Sequence, residues 1–145
     1  MHKLAALIAL LSLFPPPALA ESAYFVLCGY HRPHDTCVYD GDTFWLRGKA
    51  FRIEDIDTPE KKSPKCTSEA ILASDATRRL IELLNAGEFA LVRHGRRDID
   101  RYGRKLRTVQ IAGISIAATM IAEGLARPWT GKRQPWCADP GSSAG

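Results

Sequence analysis

No apolar run in this chain reaches the roughly 20 residues that a membrane-spanning helix needs. The nearest approach is 4–14, about a dozen residues, and Pro15-Pro16-Pro17 stops it. That argues against a helical membrane protein. No internal repeat occurs, so nothing points to a solenoid or a propeller. Neither sign of charge is in large excess: 20 Lys and Arg face 16 Asp and Glu, a net +4. The balance is compatible with a polyanionic partner without requiring one. Cysteine is sparse, at four residues. Long regular structure has no room after Arg127, where Pro128, Gly131, Pro135 and Pro140 interrupt the chain.

What is present begins with an export signature. Met1-His2-Lys3 is basic, 4–14 is apolar, and Ala18-Leu19-Ala20 is an A-x-A cleavage site. Residues 1–20 read as a secretory signal peptide cut after Ala20, with an uncleaved anchor as the alternative. A lipoprotein cut before Cys28 is the weaker reading, because Leu27 stands where a small residue is needed. The mature chain is expected to be exported, periplasmic or secreted, free of the membrane and monomeric. The 145 residues suit one domain. Its expected parts are a disulfide-closed lead-in over 21–36, the domain proper over 37–137 and a disordered tail over 138–145.

All four cysteines follow the signal: Cys28, Cys37, Cys66 and Cys137. An even count in an exported chain implies two disulfides, and three pairings are open. Cys28–Cys37 would close a short polar loop and is preferred, which leaves Cys66–Cys137 to tie the chain's middle to its tail. The rival is a zinc site, since Cys28, His31, His34 and Cys37 recur every three residues. Pro33, inside a polar loop, counts against it.

The densest chemistry lies between Val38 and Glu60. Asp40-Gly41-Asp42-Thr43 opens this stretch and Asp57-Thr58-Pro59-Glu60 closes it. Phe44, Leu46, Phe51, Ile53 and Ile56 recur at strand spacing around a Gly48-Lys49 turn. A hairpin brings its ends together, so Asp42, Asp57 and Glu60 should meet. Like charges held close need a cation among them. Arg52 supplies part of that, and an all-oxygen set suits a hard metal such as calcium.

Around this stretch the pattern predicts a short strand or ordered lead-in over 23–27. A first strand should end near Val38-Tyr39, with the next two over 43–46 and 49–56. A helix capped by Thr67 or Ser68 should run to about Leu84 and bury Ala73, Ala76, Leu80 and Leu84. Its wet face should pair Asp75 with Arg79 and Arg78 with Glu82. Strands over 88–94 and 104–111 and a second helix over 114–123 complete the order. Five strands with a helix between the third and fourth is the α+β order of an OB-fold barrel, here with two helices added.

Three blocks in this order resemble the staphylococcal nuclease family: 40–43, then Phe51-Arg52-Ile53 leading into 57–60, then Asp100-Arg101-Tyr102-Gly103-Arg104. Glu123-Gly124-Leu125-Ala126 is a weaker fourth. Singly, Asp40-Gly41 reads as a turn, Thr58-Pro59-Glu60 as a helix start, Tyr102-Gly103 as a hairpin tip and Arg52 as an edge residue; the ordered set carries the resemblance. It implies an OB barrel that cleaves DNA and RNA with calcium, favours single strands and leaves a 3′-phosphate. It implies that Asp42 and Asp57 ligate the metal by carboxylate and Thr58 by its carbonyl, with Asp40 and Asp100 in support. Glu60 would orient or deprotonate the attacking water, Arg52 and Arg104 would grip the phosphate, and Tyr102 would lie near the nucleotide.

Lys61 and Lys62 would draw in phosphate or merely keep a loop soluble. Trp129 would stack on a base or cover the core, and Trp136 would pack on a disulfide. Two other classes compete: an OB module that holds nucleic acid without cutting it, and a small exported domain that meets a protein. The intact set of Asp42, Arg52, Asp57, Glu60 and Arg104 argues for the enzyme.

Overall fold

The computed structural model describes residues 19–31 and 33–138. Most of the expected signal peptide, and the tail from residue 139, lie outside these residues. The described residues form β1 (Ala20–Glu21), β2 (Val26–Leu27), β3 (Cys37–Val38), β4 (Thr43–Leu46), β5 (Lys49–Ile53) and β6 (Ile56–Asp57). Then come α1 (Thr67–Asn85), β7 (Phe89–Val92), β8 (Lys105–Ile111), β9 (Ile114–Ser115), α2 (Ile116–Ala122) and β10 (Arg127–Pro128). Pairing runs β1-β7-β8-β5-β4-β3-β2, with β9 on β8 and β10 on β6. The expected barrel strands are β3, β4, β5, β7 and β8, with α1 between the third and fourth. The fold is α+β and barrel-like, and its pairing path stays open at β1 and β2.

Turn chemistry explains where the elements depart from expectation. The β4–β5 turn is Arg47-Gly48, one residue earlier than expected, because Lys49 pairs with Leu46. Both turn residues take positive φ, 49° and 76°, the two-residue geometry whose twist suits a hairpin. Ala112-Gly113 repeats it at 48° and 77°. That second hairpin pairs Ile114 and Ser115 with β8, so the helix expected from 114 starts only at Ile116. The strand expected over 49–56 breaks at Glu54-Asp55, since β5 pairs with β8 whereas β6 pairs with β10.

The core is aromatic at its centre. Phe44 stacks on Phe51 at 5.3 Å, and Phe25 meets Phe44 edge-on at 5.8 Å. Asn85, at the end of α1, clamps Phe25: its Oδ1 accepts the Phe25 N–H at 2.7 Å and its Nδ2 donates to the Phe25 carbonyl at 2.8 Å. The lead-in is thus packed into the core. α1 buries Ala73, Ala76, Leu80 and Leu84 as expected. Its wet face pairs differently, Arg78 with Asp75 and Arg79 with Glu82, each at i,i+3. Arg79 also forks onto Glu123 at 2.8 Å, which ties α1 to the end of α2.

The cysteines form Cys28–Cys37 and Cys66–Cys137. Bonded sulfurs offer no thiolate, which removes the zinc reading; His34 is buried against Trp45 and His31 is exposed. Among the described residues no helix is long and apolar enough to cross a membrane.

Candidate active site

The hairpin register sets the centre of the site. Thr43 lies opposite Arg52, and the Ile53 N–H donates to the Asp42 carbonyl at 2.8 Å. Arg52 therefore reaches Asp42 Oδ2 at 3.2 Å, and it also donates to the carbonyls of Ile53 and Ile56 at 2.8 and 3.3 Å. One guanidinium thus holds both Asp42 and the main chain that leads into Asp57. Asp42, Asp57 and Thr58 are all buried. Burial pushes the Asp57 carboxyl up, and the Asp42 charge adds to this, against pulls from Arg133, Trp136 and Arg52. Asp40 is pushed up to about 7, first by burial and then by Asp42.

Gly41 is required by a close approach. A Cβ there would lie 2.8 Å from Ala76 Cβ and 2.9 Å from Thr58 Cβ. The acidic turn is therefore pressed against both α1 and the 57–60 segment.

The 98–104 tip is organised by Asp100. Its carboxylate accepts the N–H groups of Tyr102 and Arg104 at 2.9 and 3.0 Å and pairs with Arg104 Nε at 2.7 Å. Arg104 Nη1 donates to Thr43 Oγ1 at 3.0 Å, and that hydroxyl donates to Asp42 Oδ1 at 2.9 Å. A continuous polar chain thus runs from the tip to the acidic centre. Tyr102 is exposed, with the Arg104 guanidinium 5.4 Å from its ring centre.

Two residues in the site, Glu69 and Arg133, carried no expected role in the sequence, and a third, Trp136, was not expected at the acidic centre. Glu69 is buried; it accepts the Glu60 N–H at 3.1 Å and the Lys65 N–H at 2.6 Å. It stands three residues after Cys66, the residue that caps α1 in place of the expected Thr67 or Ser68. A glutamate at that spacing is only the second half of a capping box: Cys66 makes no side-chain cap bond, and Glu69 takes the N–H groups of Lys65 and Glu60 instead. Arg133 faces Asp57 Oδ1 at 3.3 Å, Glu60 Oε2 at 3.0 Å and the Thr58 carbonyl at 3.3 Å. Trp136 donates its indole N–H to Asp57 Oδ2 at 3.2 Å, and Arg127 lies 4.0 Å over its ring. Beyond the expected packing by the disulfide, the half-buried indole N–H of Trp136 needs an acceptor, and Asp57 supplies it.

Burial opposes ionisation of Glu69, but two backbone N–H groups, Arg133 and Lys65 overcome it and hold its carboxyl below the ordinary 4.5. Its stabilisation is therefore complete above pH 4.5 and is lost as the pH falls through its lower folded value. Glu69→Gln is expected to cost about 1–3 kcal/mol at neutral pH, because an amide has one oxygen for two N–H groups. Urea unfolding at pH 7 and pH 3 checks both size and sign: the gap should be smaller at pH 3 than at pH 7.

The family profile described as Staphylococcal nuclease homologue matches residues 50–138. The chain belongs to the staphylococcal nuclease family. The matched stretch holds Arg52, Asp57, Thr58, Glu60, the 98–104 tip and Arg133, whereas Asp40 and Asp42 precede it. Endonuclease YncB of Bacillus subtilis (strain 168) is 38% identical over 92 residues, which cover 61% of this chain and 43% of that protein. The SPbeta prophage-derived endonuclease YokF of the same strain is 40% identical over 72 residues, 50% of this chain and 24% of that protein. The chain spans less than half the length of either relative.

In this member of the staphylococcal nuclease family the site opens into a groove lined by Asp42, Arg52, Glu60, Arg104, Tyr102 and Trp129. Trp129 is half-exposed, 5.3 Å under the Arg52 guanidinium, and is not a core residue. Lys62 lines the groove and gives its N–H to Glu60 Oε1 at 3.1 Å. Lys61 turns to the Tyr39 carbonyl at 2.8 Å. Arg96, Arg97 and Arg101 extend the groove wall.

The residues fit a hard cation. Asp42, Asp57 and the Thr58 carbonyl offer oxygen only. Asp57 Oδ1 is buried and accepts no hydrogen bond; its one close partner among the described residues is itself a cation, Arg133 Nε at 3.3 Å.

Proposed function

We propose that this protein is an exported, calcium-dependent nuclease that hydrolyses phosphodiester bonds of DNA and RNA. Single-stranded or frayed regions are its preferred substrate, and it works as a monomer. One observation carries the reading: Arg52, Arg104 and Glu60 border the same groove as the buried oxygens of Asp42, with Asp57 and Thr58 held beside them. The endonuclease names of the two relatives point the same way. The export pattern of residues 1–20 and the two disulfides support an oxidising destination.

Calcium held by Asp42, Asp57 and Thr58 would supply positive charge against the phosphate and help to position water. The protein's own groups do the rest. Glu60, fixed at its N–H by Glu69, takes a proton from the attacking water. Arg52 and Arg104 donate to the equatorial oxygens, where negative charge grows. Asp100 and Thr43 keep Arg104 aimed. The water–phosphorus bond forms as the bond to the 5′ oxygen breaks, and the departing oxygen takes up a proton from solvent water, leaving a 3′-phosphate and a 5′-hydroxyl.

The groove wall should track the backbone beyond the scissile bond. For Arg96→Ala with Arg97→Ala, the slope of log affinity against log salt on single-stranded DNA should flatten by about 0.7 for each phosphate that is no longer neutralised. A slope unchanged within error would remove these arginines from the track.

The second reading is an OB module that holds nucleic acid without cutting. It is favoured by Arg133, which already pairs with Asp57 and Glu60. Incubating single-stranded DNA with the oxidised protein, with calcium and then with chelator, decides between them. Calcium-dependent cutting supports the nuclease. Salt-sensitive retention without cutting supports the module.

A further inference from the structure

Arg133 is in an unusual place for a cation. Its guanidinium already touches Asp57 Oδ1 and the Thr58 carbonyl, two of the three donors assigned to the metal, and also Glu60 Oε2. A metal ion on those oxygens would meet the guanidinium's positive charge at close range, so the two cations compete for the same carboxylates. The contact to Asp57 Oδ1 lacks hydrogen-bond geometry, so it leaves that acceptor unsatisfied. The Arg133 side chain is 48% exposed, so it can move into water without opening the core.

Its backbone is nevertheless held close. The Trp129 N–H donates to the Asp55 carbonyl at 2.9 Å, and Cys137 is bonded to Cys66. Between these anchors Trp136 bonds Asp57, and Arg127 donates to the Pro135 carbonyl at 2.7 Å. The segment is tethered at both ends while the side chain is free to leave.

We propose that Arg133 is a resident counter-cation of the calcium site. It neutralises Asp57 and Glu60 in the metal-free protein, and a divalent cation must displace it to reach Asp57 and Thr58. Arg133 thereby sets how much calcium the site requires. This rests on the calcium reading given above.

The test is calorimetric titration of calcium, without nucleic acid, into wild type, Arg133→Gln and Arg133→Lys. Loss of a half-exposed charged partner should tighten binding by about three- to tenfold in the glutamine variant. The lysine variant keeps the charge but loses the fork, so it should fall between. Thermal unfolding gives a second readout. Without metal, Arg133→Gln should unfold at a lower temperature than wild type, and in saturating calcium that gap should shrink or vanish. Equal or weaker calcium affinity in the glutamine variant would overturn the inference and leave the calcium site standing. An unfolding gap as large in calcium as without it would overturn it too, because Arg133 would then be merely structural. If no version of the protein takes up calcium, the metal reading fails and this inference with it.

Discussion

Glu60→Gln is expected to lower single-stranded DNA cleavage by about two to four orders of magnitude, the range associated with a positioned general base. The substitution keeps the shape of the side chain and removes its ability to accept a proton. Glu60 is half-exposed, and its N–H bond to Glu69 is made by the backbone, so the fold should survive. Affinity for a non-cleaved single strand should change little, because Arg52 and Arg104 remain. The loss should therefore appear in turnover and not in substrate retention. A variant that cuts within a few-fold of wild type would assign the proton to another group. The Arg133 contact gives a further control: Arg133→Gln leaves the Glu60 carboxylate in place and should not reproduce this loss.

Removing the Cys66–Cys137 bridge should have the larger effect on stability. The two cysteines are 71 residues apart, and cross-linking so long a loop stabilises by about 4 kcal/mol in chain-entropy terms. Cys28–Cys37 spans only 9 residues and should contribute about 2.5 kcal/mol on the same basis. Cys66→Ser with Cys137→Ser is thus expected to lower the unfolding midpoint by roughly 10–20 °C. The bridge does more than shorten the unfolded chain. It lays the 129–137 segment over the acidic centre, where Trp136 and Arg133 meet Asp57. Freeing the segment should therefore also increase the accessibility of Trp136 to a fluorescence quencher under native conditions. If the bridge-free protein unfolds within about 1 kcal/mol of wild type, the chain-entropy account fails.

Much of this molecule is local and was legible in the chain. Period-two apolar residues marked β4 and β5, and period-3.6 residues marked the buried face of α1, because each pattern reports one buried side of one element. Hairpin closure places Asp42 beside Arg52 and Ile53, which the chain made legible; the 57–60 segment lies past the break at Glu54-Asp55 and reaches the acidic turn through Arg52 and the Gly41–Thr58 contact, which it did not. Turn detail was partly legible: Gly48 marked the β4–β5 turn, but only the pairing of Leu46 with Lys49 set its register.

The tertiary structure decided what depends on distant segments. Glu69 became a positioning group because α1 begins where its carboxylate can reach the Glu60 N–H. Gly41 became obligatory because α1 and Thr58 close on it. Arg133 and Trp136 entered the site from a proline-broken tail with no periodicity to read, brought there by a disulfide whose partner lies 71 residues away. Sequence patterns encode which side of an element is buried. They do not encode which charge a long covalent loop delivers to a given carboxylate, because that depends on loop closure in three dimensions.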